Sequence, residues 1–231
     1  MQEMGIRQRN REAIMSAISE VANRQLAEVG PAALSVRAVA RELGMASSAI
    51  YRYVSSRDEL LTMLIIEGYN AMADDVEAAV VRVKDPEKRF LAIGLACRAW
   101  ALQHPQQYAL IYGSPVPGYV APEDTIAPAT RIPALLVGVL QQMAASPTVP
   151  AFKPRVGRSL RPLLQGLSEW APEPTFTDAA MALGVMAWTH IIGSISFELF
   201  GHRHNVVGDS EADRKAYFEF EMRTLGDLLG L

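Results

Sequence analysis

A single glycine, Gly44, separates two short runs of helical periodicity, and this punctuation constrains the fold more than any other feature of the chain. Before it, VRAVARELG brings Val36, Val39, Ala40 and Leu43 to one side of a helix from Val36 to Leu43 that Ser35 can cap. After it, SSAIYRYV forms a second short helix, Ser48 to Val54, that buries Ile50 and Val54. The other face of that helix offers Ser47, Ser48, Ala49, Tyr51, Arg52 and Tyr53. Ala40 is small and lets the second helix cross the first closely.

Helical signals continue along the whole chain, and no alternating β-branched run interrupts them. A first helix from Arg7 to Val29 carries the stripe Ile14, Ile18, Val21, Ala22 and Val29, and Gly30-Pro31 stops it. Ser56-Arg57-Asp58-Glu59 matches a capping box and opens a long helix with the stripe Leu61, Leu64/Ile65, Tyr69, Met72, Val76 and Val80. Asp85-Pro86 and Pro105 start two more helices. Ser114 to Glu123 is a Pro-rich loop, and a helix follows to about Ala145. Beyond the loop SPTVPAFKP, a helix from Arg155 to Trp170 is expected to be interrupted at Pro162. Thr177 and Ser210 are expected to cap the last two helices, which end at Gly201 and near Leu229.

The expected architecture is all-α: a three-helix head over residues 1–58, joined by the long helix to a helical bundle over 59–231. With 231 residues, 50% apolar and only 20% charged, the chain has ample material for a core and is not disordered. One cysteine, Cys97, excludes a disulfide framework and a Cys-rich zinc site. The opening residues MQEMGIRQRNRE contain no apolar segment, so no secretory signal is expected. The 19 residues AAMALGVMAWTHIIGSISF lack formal charge and approach a membrane-spanning length. Their Thr, His, Ser, Gly and Ala content fits a helix buried on most of its faces better than a span.

Charge is placed unevenly. The first 57 residues hold eight Arg and five Glu, a net of +3, against −6 for the remainder. A basic head on an acidic body suggests a local anionic partner. Two short helices around a Gly turn, behind a longer helix, are the elements of a helix-turn-helix module. An ordinary helical hairpin with a solvated polar face has the same pattern. On the DNA reading, small and hydroxylic residues at a helix start approach base edges, and Tyr hydroxyls donate to phosphates. Arg57 brings charge and helix N–H groups toward phosphate.

The segment LSVRAVARELGMASSAIYRYVSSRDELL resembles the DNA-binding head of the tetracycline-repressor (TetR) family of bacterial transcription regulators. The family pattern is A-x-x-L-G-V-S, three variable residues, L-Y-x-H-F, then S-K-x-x-L. Ala40, Leu43, Gly44, Tyr51, Arg57 and Leu60 stand at matching places. Met45 stands for the usual Val, Ala46 for Ser, Ile50 for Leu, Tyr53 for His and Val54 for Phe; the loss of Ser at 46 moves the expected cap to Ser47. AWALQHPQQYALIYG and AWTHIIGSISFELFG resemble the WHG-type C-terminal domain of one branch of the family, with Trp188, His190 and Gly193 in its characteristic stretch.

The resemblance implies a non-enzymatic repressor that binds a palindromic DNA operator as a cytoplasmic homodimer and is released by a small apolar effector, with no cofactor, metal or membrane. The alternative within the family is a ligand-independent regulator or an activator. An α-helical enzyme with His104 or His190 in its pocket would need a titratable partner that the sequence does not supply. The expected DNA contacts are Ser35, Arg37, Ser47, Ser48, Ala49, Tyr51, Arg52, Tyr53 and Arg57, with Arg37 as a guanine reader. Arg7, Arg9 and Arg11 are expected to form a partly disordered arm. The expected effector contacts are Trp100, His104, Tyr108, Met143, Phe152, Trp188 and His190, each of which also fits an ordinary core position. Dimerisation is expected through the last two helices, with Ala187, Gly193, Ser194 and Ser196 permitting close approach. His202-x-His204 sits in a polar turn without metal partners, and Cys97 reads as a packed core residue.

Overall fold

The computed structural model describes residues 5–144, 157–168 and 178–230, with no strand among them. The loop SPTVPAFKP, the Thr177 cap and Phe152 lie outside the described residues, as does the Met143 side chain. The helices are α1 (Ile6–Val29), α2 (Val36–Glu42), α3 (Ser47–Ile50), α4 (Arg57–Val80), α5 (Pro86–Gln103), α6 (Pro105–Tyr112), α7 (Ile126–Ala144), α8 (Arg161–Ser168), α9 (Asp178–Leu199) and α10 (Glu211–Leu229).

Local signals set most of these boundaries. The Ser35 hydroxyl accepts from the Ala38 N–H at 3.4 Å, and Ser210 accepts from the Asp213 N–H at 3.0 Å. The Asp85 carboxylate accepts from the Lys88 N–H at 2.9 Å. At α4, Ser56 accepts from the Glu59 N–H at 3.0 Å, while the Glu59 carboxylate reaches past Ser56 to the Ser55 N–H at 2.6 Å. The box thus closes one residue earlier than the motif suggests. Two expectations are corrected here. Pro162 does not interrupt a helix; it occupies the first turn of α8, where its missing N–H costs no hydrogen bond. Arg7, Arg9 and Arg11 form no disordered arm, because α1 begins at Ile6.

Two compact units emerge, Met1–Asn70 with His104–Pro128, and Ala71–Gln103 with Ala129–Leu231. Packing therefore divides the chain within α4 rather than after residue 58, and it groups α6 and the loop after it with the head. In the head, Ile18, Val21, Ala22 and Leu26 of α1 meet Val36, Val39 and Ala40 of α2, Ile50, Val54, and Leu60, Leu61, Leu64 and Ile65 of α4. Leu110 of α6 and Val116 of the loop complete the cluster. The α1 stripe continues through buried Gln25 and Leu26, whereas Val29 in the last turn is 54% exposed. A seven-residue extrapolation assumes a partner along the whole helix, and beyond Leu26 the residues Ala27, Glu28 and Val29 stay exposed. Tyr112 meets Tyr69 edge to face, with centroids 5.7 Å apart, and Tyr108 at a tilt, with centroids 5.2 Å apart. The Tyr119 and Thr62 hydroxyls share a 2.9 Å hydrogen bond.

In the body, α5 packs on α10 where Gly94 leaves room for Met222: a Cβ on Gly94 would lie 2.8 Å from the Met222 sulfur. Ile93, Cys97, Trp100, Phe218 and Met222 are buried. The same unit buries charge. Arg98 donates to both Glu198 carboxylate oxygens, at 2.7 and 2.5 Å, and lies 3.0 Å from Glu211. Burial works against the Arg98 charge, yet hydrogen bonds to Glu198 and Glu211 hold its pKa above the ordinary arginine value. Glu221 accepts from both Arg203 nitrogens, at 2.8 and 2.7 Å, and from the Ser194 hydroxyl at 2.6 Å. Burial pushes the Cys97 thiol up to about 12.

One stretch of α9, Met181–Leu199, is long and apolar enough by length and composition to cross a membrane. Only 28% of that window is buried, so the expectation of a helix covered on most faces fails for the single chain. Ala187 and Ser194 face inward, and the Ser194 hydroxyl is bound to Glu221, so neither is open for close approach of another chain. Gly193 meets nothing within 4 Å and is open.

Candidate DNA interface

The interface elements are α2, the Gly44 turn and α3. Gly44 takes φ +66°, a left-handed conformation that reverses the chain, and the turn is closed by Met45 N–H donating to the Ala40 carbonyl at 2.8 Å. The N-cap of α3 is Ala46, which makes no side-chain cap; Ser47 is the first helical residue, so the cap does not shift to it. Both Ser47 and Ser48 therefore keep exposed hydroxyls on the first turn. The helix proper lasts one turn, then i→i+3 bonds carry the backbone on: Arg52 N–H to Ala49 at 3.2 Å and Tyr53 N–H to Ile50 at 2.8 Å. Ile50 and Val54 are 0% and 1% exposed, so the remaining positions face outward.

Most of the expected contacts are presented. Arg37, Ser47, Ser48, Tyr51 and Arg52 are exposed, and Ser35, Ala49 and Tyr53 are half-buried. Arg57 differs from its expectation. Its guanidinium donates to the carbonyls of Pro31 at 2.9 Å and Ala32 at 3.3 Å, tying α4 to the turn after α1. This carbonyl clamp is non-local and leaves no trace in the helix-start motif. Sequence reasoning also missed Arg11, which lies over the Tyr53 ring at 5.4 Å and donates to the Arg52 carbonyl at 3.5 Å. Its only sequence signal is its place in the basic opening segment.

The expected effector residues are divided between the units. His104 and Tyr108 belong to the head, and Trp100, Trp188 and His190 to the body. Trp100 and Tyr108 are 2% and 0% exposed, His104 is exposed, and Trp188 and His190 are half-buried. His190 Nε2 lies 3.9 Å from Glu221. The body has a cleft of about 200 Å³ lined by Leu102, Glu198, Leu199, Gly201, Arg203, His204, Gly208 and Arg214. A narrow apolar seam runs between Phe90, Leu136, Val139, Leu140, Gly184, Ala187 and Leu229. Among the described residues, Trp100, His104, Tyr108, Trp188 and His190 line neither one. Among the described residues no three His, Cys, Asp or Glu side chains form a metal-binding group.

Comparison with known proteins agrees with this construction. Residues 18–64 match the family described as bacterial regulatory proteins, tetR family, and residues 90–225 match the tetracyclin repressor-like C-terminal domain. The second match spans both body stretches quoted above. The HTH-type transcriptional regulator Rv1816 of Mycobacterium tuberculosis strain H37Rv is 41% identical over 204 residues, 86% of each chain. The crystal structure of the regulatory protein SCO4313 superposes with a TM-score of 0.77 at 33% identity, over 98% of this chain and 100% of that one. A TetR family transcription regulator from Marinobacter aquaeolei VT8 shares the fold at 18% identity, with a TM-score of 0.62 over 97% of this chain and 98% of its own. The chain belongs to the TetR family. It is a DNA-binding transcriptional regulator and not an enzyme.

Proposed function

We propose that this regulator is a repressor that binds a palindromic operator as a homodimer and is released by a small apolar ligand. The observation that carries the reading is the apolar face of α9 and α10. Val185, Met186, Phe197, Phe200, Tyr217, Phe220 and Leu228 are each 40–61% exposed. So many large apolar side chains exposed on two neighbouring helices mark an interaction surface. A second copy of the chain covers it in an isologous four-helix contact and sets two recognition helices about 34–36 Å apart, one DNA turn. Arg37, Ser47, Ser48 and Ala49 then meet bases, and Ser35, Tyr51, Arg52 and Tyr53 hold phosphates. Arg57 adds the N-terminal end of α4 while its guanidinium stays on Pro31. The DNA-contacting residues are read as lying within 1–58, a part of the larger head unit, and the ligand-binding and dimerising residues within 59–231.

The effector enters the helical body, where Trp188 and His190 are the first residues to probe, before the more deeply buried Trp100. Covalent continuity of α4 from Arg57 carries its influence to the head. The reading places the protein in the cytoplasm without a membrane partner. Selection of duplexes from a random library, followed by footprinting, tests it. The expected product is a palindrome protected on two successive major grooves, with Arg37→Ala costing about 1–3 kcal/mol and relaxing one base pair per half-site. A non-palindromic footprint or a monomer in sedimentation would overturn the dimeric reading. An operator upstream of an activated promoter would replace repressor by activator.

A further inference from the structure

We propose that Arg11 is a positioning residue for DNA recognition, clamping the far end of the recognition helix through the Tyr53 ring and the Arg52 carbonyl. The proposal rests on the reading of α3 as the base-reading helix.

The argument starts from how little holds α3 in place. A helix of one turn has almost no cooperative stability of its own, so its direction is set by tertiary contacts. Its N-terminus has no side-chain cap, because Ala46 stands at the cap position. Its buried anchors, Ile50 and Val54, lie on one side only. They fix its depth; beyond Ile50, Tyr51 and Arg52 are exposed and Tyr53 rests half-buried against the edge of the head core, its ring open to a contact from α1.

Arg11 supplies that contact. Its guanidinium carbon lies 5.4 Å from the Tyr53 ring centroid, inside cation–π range. Its Nη1 donates to the Arg52 carbonyl at 3.5 Å. That carbonyl belongs to the turn closing α3, where the last carbonyls of a helix lack intrahelical donors and attract positive charge. Through these two contacts Arg11 ties α1 to the end of α3. Tyr53 stands where the family pattern has His, and its larger ring is the surface on which the guanidinium rests. Because its charge faces these partners, Arg11 is not counted among the phosphate contacts.

A clamp and a phosphate contact make opposite forecasts. Losing a phosphate contact weakens all DNA alike and flattens the logarithmic salt dependence by about 0.9 per contact. Losing a clamp leaves the salt dependence intact and lowers the preference for the right sequence. The experiment uses the full-length chain, the duplex that the wild type enriches from a random library, and a scrambled duplex of equal composition.

For Arg11→Gln the expected ratio of the two affinities falls about two- to fivefold, the equivalent of an exposed cation–π contact, with an unchanged salt slope. Tyr53→Leu lowers the ratio in the same direction, and the two changes combine less than additively in the double variant. Tyr53→Phe keeps the ring and preserves the ratio, whatever its hydroxyl contributes to overall affinity. Equal weakening on both duplexes with a flatter slope, or additive effects in the double variant, overturns the proposal. Hydrogen exchange on free protein provides a DNA-independent arm. Amides of residues 51–54 should exchange faster in Arg11→Gln while those of α10 do not change, and unchanged exchange at 51–54 also overturns the clamp. If the wild type enriches no sequence, the DNA reading of α3 fails, and the exchange arm still decides whether the clamp exists.

Discussion

In the head, every charged side chain of α1 and α2 is exposed, whereas the body buries Arg98 and Glu198 at 5% and 3% side-chain exposure and turns Phe197, Phe200 and Phe220 outward. The contrast follows from what each surface has to meet. A polyanion is met by hydrated, mobile charges that can shed counterions. On the reading proposed above, an apolar partner is met by carbon already exposed. Buried ion pairs seldom add net stability over carbon of equal volume, because desolvation offsets the attraction. Their effect is to fix one arrangement of helices, here α5, α9 and α10.

Arg98→Ala tests the body side of this contrast most severely. It leaves the Glu198 carboxylate, at 3% exposure, with the more distant Arg214 at 3.6 Å as its remaining ion pair among the described residues, and should cost about 3–5 kcal/mol in chemical denaturation. The double change Arg98→Met with Glu198→Leu should recover most of the loss, and failure to recover would mean that the pair contributes more than mutual compensation. Next in size is Phe220→Glu, at a position 61% exposed in the single chain. Folding of the monomer should be unaffected, while association weakens by about 2–4 kcal/mol as for a central interface anchor. Sedimentation equilibrium reads this directly, and an unaltered dimer would move the interface off α10.

Head variants should give smaller effects. Ser35→Ala removes the cap of α2 and should lower stability by about 1 kcal/mol, visible as faster amide exchange at Ala38 with little change in α10. The smallest effect belongs to Glu67, whose pKa burial raises although the Ser19 hydroxyl donates to it. A carboxyl raised on folding contributes stability fully present below its unfolded value near 4.5 and lost as pH rises through the folded value. Glu67→Gln should therefore raise Tm slightly at pH 7 and leave it unchanged near pH 4. A difference that persists at pH 4 would point to packing instead of charge.

Much of this was readable beforehand because it is local. Caps at Ser35, Asp85 and Ser210 depend on residues three positions away, and the Gly44 turn on a single φ. The periodic faces of α2 and α4 followed from spacing, since both meet partners along their length. What escaped was held by residues distant in sequence. Arg98 and Glu198 are 100 positions apart, Arg57 and Pro31 26, and Arg11 and Arg52 41. Leu110 and Val116 join the head core from beyond α5, which no periodicity within residues 1–58 could announce. Charged side chains are the hardest to place, because a motif gives their element and not which carbonyl or ring receives them.

Cys97 has a practical consequence of its own. It is the sole thiol of the chain, it lies fully buried in α5, and its ionisation is pushed up to about 12. A disulfide reagent in excess finds neither access nor thiolate until the surrounding helices open. The labelling rate is then a stopwatch for that opening, started without any engineered probe. It keeps time for the body alone. A head that melts off its core while the body stays shut leaves the clock unmoved, so comparing labelling with loss of DNA binding separates the two unfolding events in one native protein.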